Sequence, residues 1–188
     1  CDRGGKLADS ELDLRDSTLQ ENRQGIDAQR SSFTLSSVKV LNNSQEGVSA
    51  DQCRFRLTSS QFIENRSGLK LTGGDGQLFL CRFSQNRESG AELTGGRIRI
   101  NSSSFIQNSG VGILLDNARG SIIGSVLSDN RAGNLHNRGS EPFVALLNWW
   151  GSADEKQILE SILDPGRNND AALILFAPFL KERPVTAP

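Results

Sequence analysis

Large apolar residues recur along the chain, each followed by two variable residues and then an asparagine. The six pairs are Leu19 with Asn22, Val40 with Asn43, Phe62 with Asn65, Phe83 with Asn86, Phe105 with Asn108 and Leu127 with Asn130. Successive asparagines are 21, 22, 21, 22 and 22 residues apart. A glycine follows each within two to four residues, at Gly25, Gly47, Gly68, Gly90, Gly110 and Gly133. A fixed period of this length is the signature of a repeat architecture.

Each period divides into three short alternating stretches. The first holds Ile26-x-Ala28, Val48-x-Ala50, Leu69-x-Leu71, Ala91-x-Leu93 and Val111-x-Ile113. The second holds Leu12-x-Leu14, Phe33-x-Leu35, Phe55-x-Leu57, Leu78-x-Leu80 and Ile98-x-Ile100. The third places a small residue two before the large one: Ser17, Ser60, Cys81, Ser103 and Ser125, with Val38 the exception. Alternation at period two puts one side chain inside and the next outside. Three strands this short need partners, and a coil stacked on its equivalent supplies all three at once. The pattern therefore predicts an all-β chain: a right-handed single-stranded parallel β-helix of about six coils, about 4.8 Å apart. The recurrent asparagine becomes an inward ladder at a turn, and the glycine after it is read as supplying positive φ. A leucine-rich horseshoe would need a longer leucine motif and a helical return, and neither is present.

The period fails after Gly133. Asp154 can cap a short helix over Glu155 to Leu163, and Ala171 to Phe176 reads as one more strand. Three regions result: a tether over 1–10, coils over 11–147, and a cap and tail over 148–188. Trp149 and Trp150 are read as sealing the last coil, with at least one ring buried. The stretch Asn148-Trp149-Trp150-Gly151-Ser152-Ala153-Asp154, the helix, and then Phe176-Ala177-Pro178-Phe179-Leu180 resemble the terminal segment of bacterial parallel β-helix repeat proteins. These form a carbohydrate-binding and sugar-hydrolase group related in fold to pectate lyases. The resemblance covers nearly the whole chain from Glu11; it is specific for fold and loose for function, because that fold hosts lyases, hydrolases, epimerases, adhesins and scaffolds.

Composition narrows the function. In 188 residues the net charge is -1, which offers no global attraction for nucleic acid. No apolar run approaches the roughly 18 residues of a membrane span, and mean hydropathy is -0.40, as expected of a soluble chain. There is one histidine and no tyrosine. The calcium-binding carboxylate cluster of the lyases is missing, with Asp27 and Glu92 at equivalent positions two or more coils apart. The Gly-His-Gly segment of galacturonases and the Asp-Pro-His-Asp segment of epimerases are also absent. We therefore expect no catalytic residues, no cofactor and no metal, with a polysaccharide-processing lyase or hydrolase as the alternative. His136 is read as a corner residue under the cap, and Thr72 to Gly76 as a turn. Cys53 and Cys81 fall in different columns of the repeat, so they are expected to be buried free thiols.

Arginine outnumbers lysine 16 to 5. Reading outward positions on the second stretch puts Arg56, Phe79 and Arg99 in successive coils, with Arg54 and Arg97 one step along. Two readings stay open. Such a surface can fork guanidinium groups onto the carboxylates of an acidic polysaccharide or a partner protein. It can also be an ordinary ladder in which arginine covers Phe79.

Cys1 resembles the acylated first residue of a mature bacterial lipoprotein, which implies a place in the cell envelope and membrane contact only through Cys1. The opening residues look like a poor lid. The end around Leu12, Leu14 and Ile26 is therefore expected to be covered by an envelope partner, a second copy stacked end to end, a membrane surface beside an acylated Cys1 or a missing upstream coil. The functional expectation is a binding or scaffold module of the bacterial cell envelope, a subunit of a larger assembly.

Overall fold

The computed structural model describes residues 1–164 and 173–188. The first coil is β1 (Arg3–Ala8), β2 (Glu11–Arg15) and β3 (Thr18–Gln20); the second is β4 (Gln24–Gln29), β5 (Ser32–Ser36) and β6 (Lys39–Leu41). The third is β7 (Val48–Asp51), β8 (Arg54–Thr58) and β9 (Gln61–Ile63); the fourth is β10 (Leu69–Thr72), β11 (Asp75–Phe79) and β12 (Arg82–Ser84). The fifth is β13 (Ala91–Thr94), β14 (Arg97–Asn101) and β15 (Ser104–Ile106); the sixth is β16 (Ile113–Asp116), β17 (Arg119–Ile123) and β18 (Val126–Ser128). Then come β19 (Leu135–Asn137), β20 (Phe143–Val144), α1 (Glu155–Ser161), β21 (Ile162–Leu163) and β22 (Ile174–Leu175).

Every pairing is parallel, and equivalent strands stack into three sheets. The first runs from β1 through β4 to β21, the second from β2 through β5 to β22, and the third from β3 to β18. The result is an all-β parallel solenoid of about six coils with, among the described residues, one short helix after the main run of strands. Asp154 caps α1, its carboxylate accepting from the backbone of Lys156 and Gln157.

The interior is a set of ladders. Phe62, Phe83 and Phe105 stack with ring centroids 4.6 and 4.7 Å apart. Trp150, buried, continues this inward column past Leu127, while Trp149 packs outside the third sheet against Ile106, Val126 and Ala187. The asparagine ladder closes one corner of every coil. Asn43 Nδ2 donates to Asn65 Oδ1 at 2.8 Å, and Asn108 Nδ2 to Asn130 Oδ1 at 2.8 Å. Each also caps a carbonyl of the preceding coil, as Asn65 Nδ2 does for Val40 at 2.9 Å.

The ladder glycines work differently from the sequence reading. Gly25, Gly47, Gly68 and Gly90 are not left-handed; the residue before each asparagine is, as at Glu21 (φ 56°), Asn42 (φ 50°) and Glu64 (φ 58°). Glycine is required there for close approach, because a Cβ on Gly68 would sit 2.6 Å from the Gly90 carbonyl oxygen. Gly112, not Gly110, continues this column, so the sixth coil's inward pair is Ile113 and Leu115 rather than Val111 and Ile113.

The ends also differ from expectation. Residues 3–8, read as tether, form β1, which stacks Gly5 on Ile26 and Leu7 on Ala28. Two glycines near its start gave no hydrophobic signal, yet backbone pairing needs none. At the other end β21 and β22 carry the first two sheets into the region read as cap. Of the strand expected over Ala171 to Phe176, Ile174–Leu175 is seen, and residues 171–172 lie outside the described residues.

Candidate functional site

On the second sheet, the inward pairs are Phe33 and Leu35 on β5, Phe55 and Leu57 on β8, Gly76 and Leu78 on β11, and Ile98 and Ile100 on β14. The residues between and beside them face solvent. Register then defines the outer columns. One runs Ser32, Arg54, Asp75, Arg97, Arg119; the next runs Thr34, Arg56, Gln77, Arg99, Ser121. A third runs Ser36, Thr58, Phe79, Asn101, Ile123.

Phe79 is therefore not between Arg56 and Arg99, as the sequence reading had it; Gln77 is. The shift arises at Gly76. It takes the inward position because a Cβ there would lie 2.5 Å from the Phe55 ring. An apolar-pair reading passes over a glycine and selects Leu78-x-Leu80, two residues late. Leu80 is instead a corner residue with φ 54°. Phe79 stays outward and 48% exposed, one column from the arginines. Among the described residues no cation lies over its ring; Lys181 over Phe179 is the cation–π contact seen, 4.1 Å from the centroid.

The four arginines form two pairs, Arg54 with Arg56 on β8 and Arg97 with Arg99 on β14, all exposed. Adjacent coils elsewhere tie arginine to carboxylate: Arg30 with Asp9 at 2.7 Å, Arg66 with Glu88 at 2.9 Å, and Arg119 with Glu141 at 2.8 Å. Among the described residues none of Arg54, Arg56, Arg97 and Arg99 makes an ion pair, although Asp75 lies between two of them. Arg56 Nη2 donates to Gln77 Oε1 at 3.0 Å, which holds its guanidinium over the face. Shallow depressions lie between the pairs. One of about 220 Å³ is lined by Arg54, Asp75, Gln77, Arg97 and Arg99. Another of about 490 Å³ reaches from Arg56 and Arg99 across to Phe79.

Toward the first coil the face turns acidic. Glu11 and Asp13 on β2 stand across the short side chains of Ser32 and Thr34 from Arg54 and Arg56, around a groove of about 440 Å³. Arg15 binds both oxygens of Asp13, at 3.1 and 2.8 Å, and its hydrogen bonds hold that carboxyl below the usual aspartate range.

The other expected residues fall elsewhere. Ile26 is fully buried under β1, so it is no part of an open end; Leu12 and Leu14 are half-buried there, and β1, β2 and β3 are terminal strands. Cys1 is exposed, and Cys53 and Cys81 are buried and free. Burial raises the Cys53 thiol pKa and pushes that of Cys81 up to about 11. His136 is not a corner residue: it faces outward from β19 between Leu114 and Leu163. Burial first, then Arg138, lowers its pKa. Among the described residues no three His, Cys, Asp or Glu side chains gather as a metal site.

Residues 7–148 match the family described as the right handed beta helix region. No curated protein matches the chain by sequence. Two solved structures of QnrB1, a plasmid-mediated fluoroquinolone resistance protein, can be overlaid on it. A trypsin-treated variant is 10% identical, with 93% of this chain and 92% of that chain covered, at a TM-score of 0.24. The full-length form is 12% identical, with 90% and 93% covered, at a TM-score of 0.20. With stacked parallel coils throughout and a family match over most of its length, the chain belongs to the right-handed β-helix family.

Proposed function

We propose that this chain is a non-catalytic binding module of the bacterial cell envelope that holds an acidic polysaccharide along the outer face of its second sheet. The observation that carries the reading is the set of four exposed arginines on β8 and β14, none of which makes an ion pair among the described residues, whereas Arg30, Arg66 and Arg119 each pair with a carboxylate of the adjacent coil. Guanidinium groups that are not held by a carboxylate are ready to fork onto those of a ligand. The scaffold beneath is rigid, since each outer position is fixed by an inward neighbour in a ladder. Phe79 adds an exposed apolar ring on which a sugar face can rest. Asp13, across the groove from the basic face, is kept ionised by Arg15 and is a poor proton donor for glycoside cleavage.

Affinity electrophoresis through gels containing an acidic polysaccharide tests this. The protein is expected to be retarded, and the double variant Arg56→Ala with Arg99→Ala to run at its free mobility with an unchanged circular dichroism spectrum. Equal retardation of parent and double variant contradicts the proposed face. Release of reducing ends or unsaturated uronates from the polysaccharide would assign the chain to the lyases or hydrolases instead.

A further inference from the structure

The basic face is interrupted once. Between the arginine pairs of β8 and β14, strand β11 presents Asp75 in one column and Gln77 in the other. With about 4.8 Å between strands, the two pairs stand ~9.6 Å apart along the axis. An extended polysaccharide lying along that axis can set about one ring against each coil. A polymer with a carboxylate on every ring then brings one of them to Asp75, where like charges meet. A polymer with a carboxylate on every second ring places its acids against the two arginine pairs and a neutral ring over β11. There the Gln77 amide can meet a hydroxyl or carbonyl group, and Phe79, on the same strand, can meet the apolar face of the ring.

Resting on the reading of this face as an acidic-polysaccharide site, we infer that the second sheet selects charge spacing: its ligand carries one carboxylate per disaccharide. Asp75 is the selecting residue, and it acts by rejecting a more densely charged chain. General electrostatic attraction ranks ligands the other way, because a homopolymer of uronate carries twice the charge per ring and would bind a basic surface more tightly.

The test compares hyaluronan, which alternates glucuronate with a neutral amino sugar, with polygalacturonate of equal ring number, by calorimetric titration of the full chain at matched ionic strength. Hyaluronan is expected to bind at least about fivefold more tightly, the size of one close like-charge contact in water. Asp75→Asn is expected to bring polygalacturonate level with it. Asp75 is exposed and makes no ion pair among the described residues, so the variant should keep the fold. Equal or tighter binding of polygalacturonate by the parent chain overturns the spacing inference and leaves the acidic-polysaccharide reading standing. A preference that survives Asp75→Asn overturns it as well. If neither polymer binds, both readings fail together.

Discussion

The backbone N–H and the side-chain Nδ2 of Asn86 both donate to the Oδ1 of Asn108, at 3.1 and 2.9 Å. Asn86 Nδ2 also reaches the carbonyl of Phe62 at 3.1 Å, and its own Oδ1 accepts from the Asn65 backbone at 3.0 Å. Asn86→Ala strands several of these groups inside a closed corner. We expect a loss of about 3 kcal/mol, since each unsatisfied buried group costs roughly 1–3. Asn22→Ala, at the exposed end of the ladder, should cost under about 1 kcal/mol. Urea midpoints of the two variants give the comparison, and equal losses would mean that the ladder contributes nothing beyond its own corner.

Two glycine substitutions separate close approach from backbone freedom. Gly68→Ala drives a methyl toward the Gly90 carbonyl oxygen, and we expect it to destabilise by about 1–3 kcal/mol. Gly95 has φ +61° with open space around its Cβ direction, and non-glycine residues hold the equivalent corner at Gln52 and Asn117. Gly95→Asn should therefore shift the thermal midpoint far less than Gly68→Ala.

The thiols divide by burial. With Cys81 pushed up to about 11 and Cys53 also raised, only exposed Cys1 should react rapidly with a disulfide reagent at neutral pH. All three should react after unfolding. A second fast thiol in the native protein would mean that a corner of the solenoid opens readily.

Acidification should weaken the fold in two stages. The folded protein disfavours protonated His136, so stability falls as pH drops through the ordinary value of 6.5 and levels off below the folded pKa. Asp9, Asp13 and Glu141 are lowered by arginine hydrogen bonds, so their contribution is present above the ordinary carboxylate range and disappears as pH falls through the folded values. His136→Gln should remove the first stage and leave the second, as read from unfolding midpoints across pH.

The coils were legible in the sequence because the inward columns are filled by large apolar residues at period two, and the asparagine fixes where each coil turns. Register was less legible wherever glycine fills an inward place. Gly5 hid β1, Gly76 displaced Phe79 by one outer column, and Gly110 competed with Gly112 for the ladder. In each case the deciding contact, such as the Phe55 ring lying over Gly76, joins residues a full coil apart and leaves no trace in the local pattern. The arginines of the candidate site were visible by residue type. The alternation of Asp75 and Gln77 between them emerges only once register is known.

Arginine labelling tests the binding face most directly. Phenylglyoxal should modify Arg54, Arg56, Arg97 and Arg99 in the free protein, because all four are exposed and make no ion pair among the described residues. In the presence of saturating hyaluronan these four should become protected, while Arg131 and Arg138, away from the second sheet, label as before. Unchanged labelling of the four, or protection spread evenly over all exposed arginines, would contradict it.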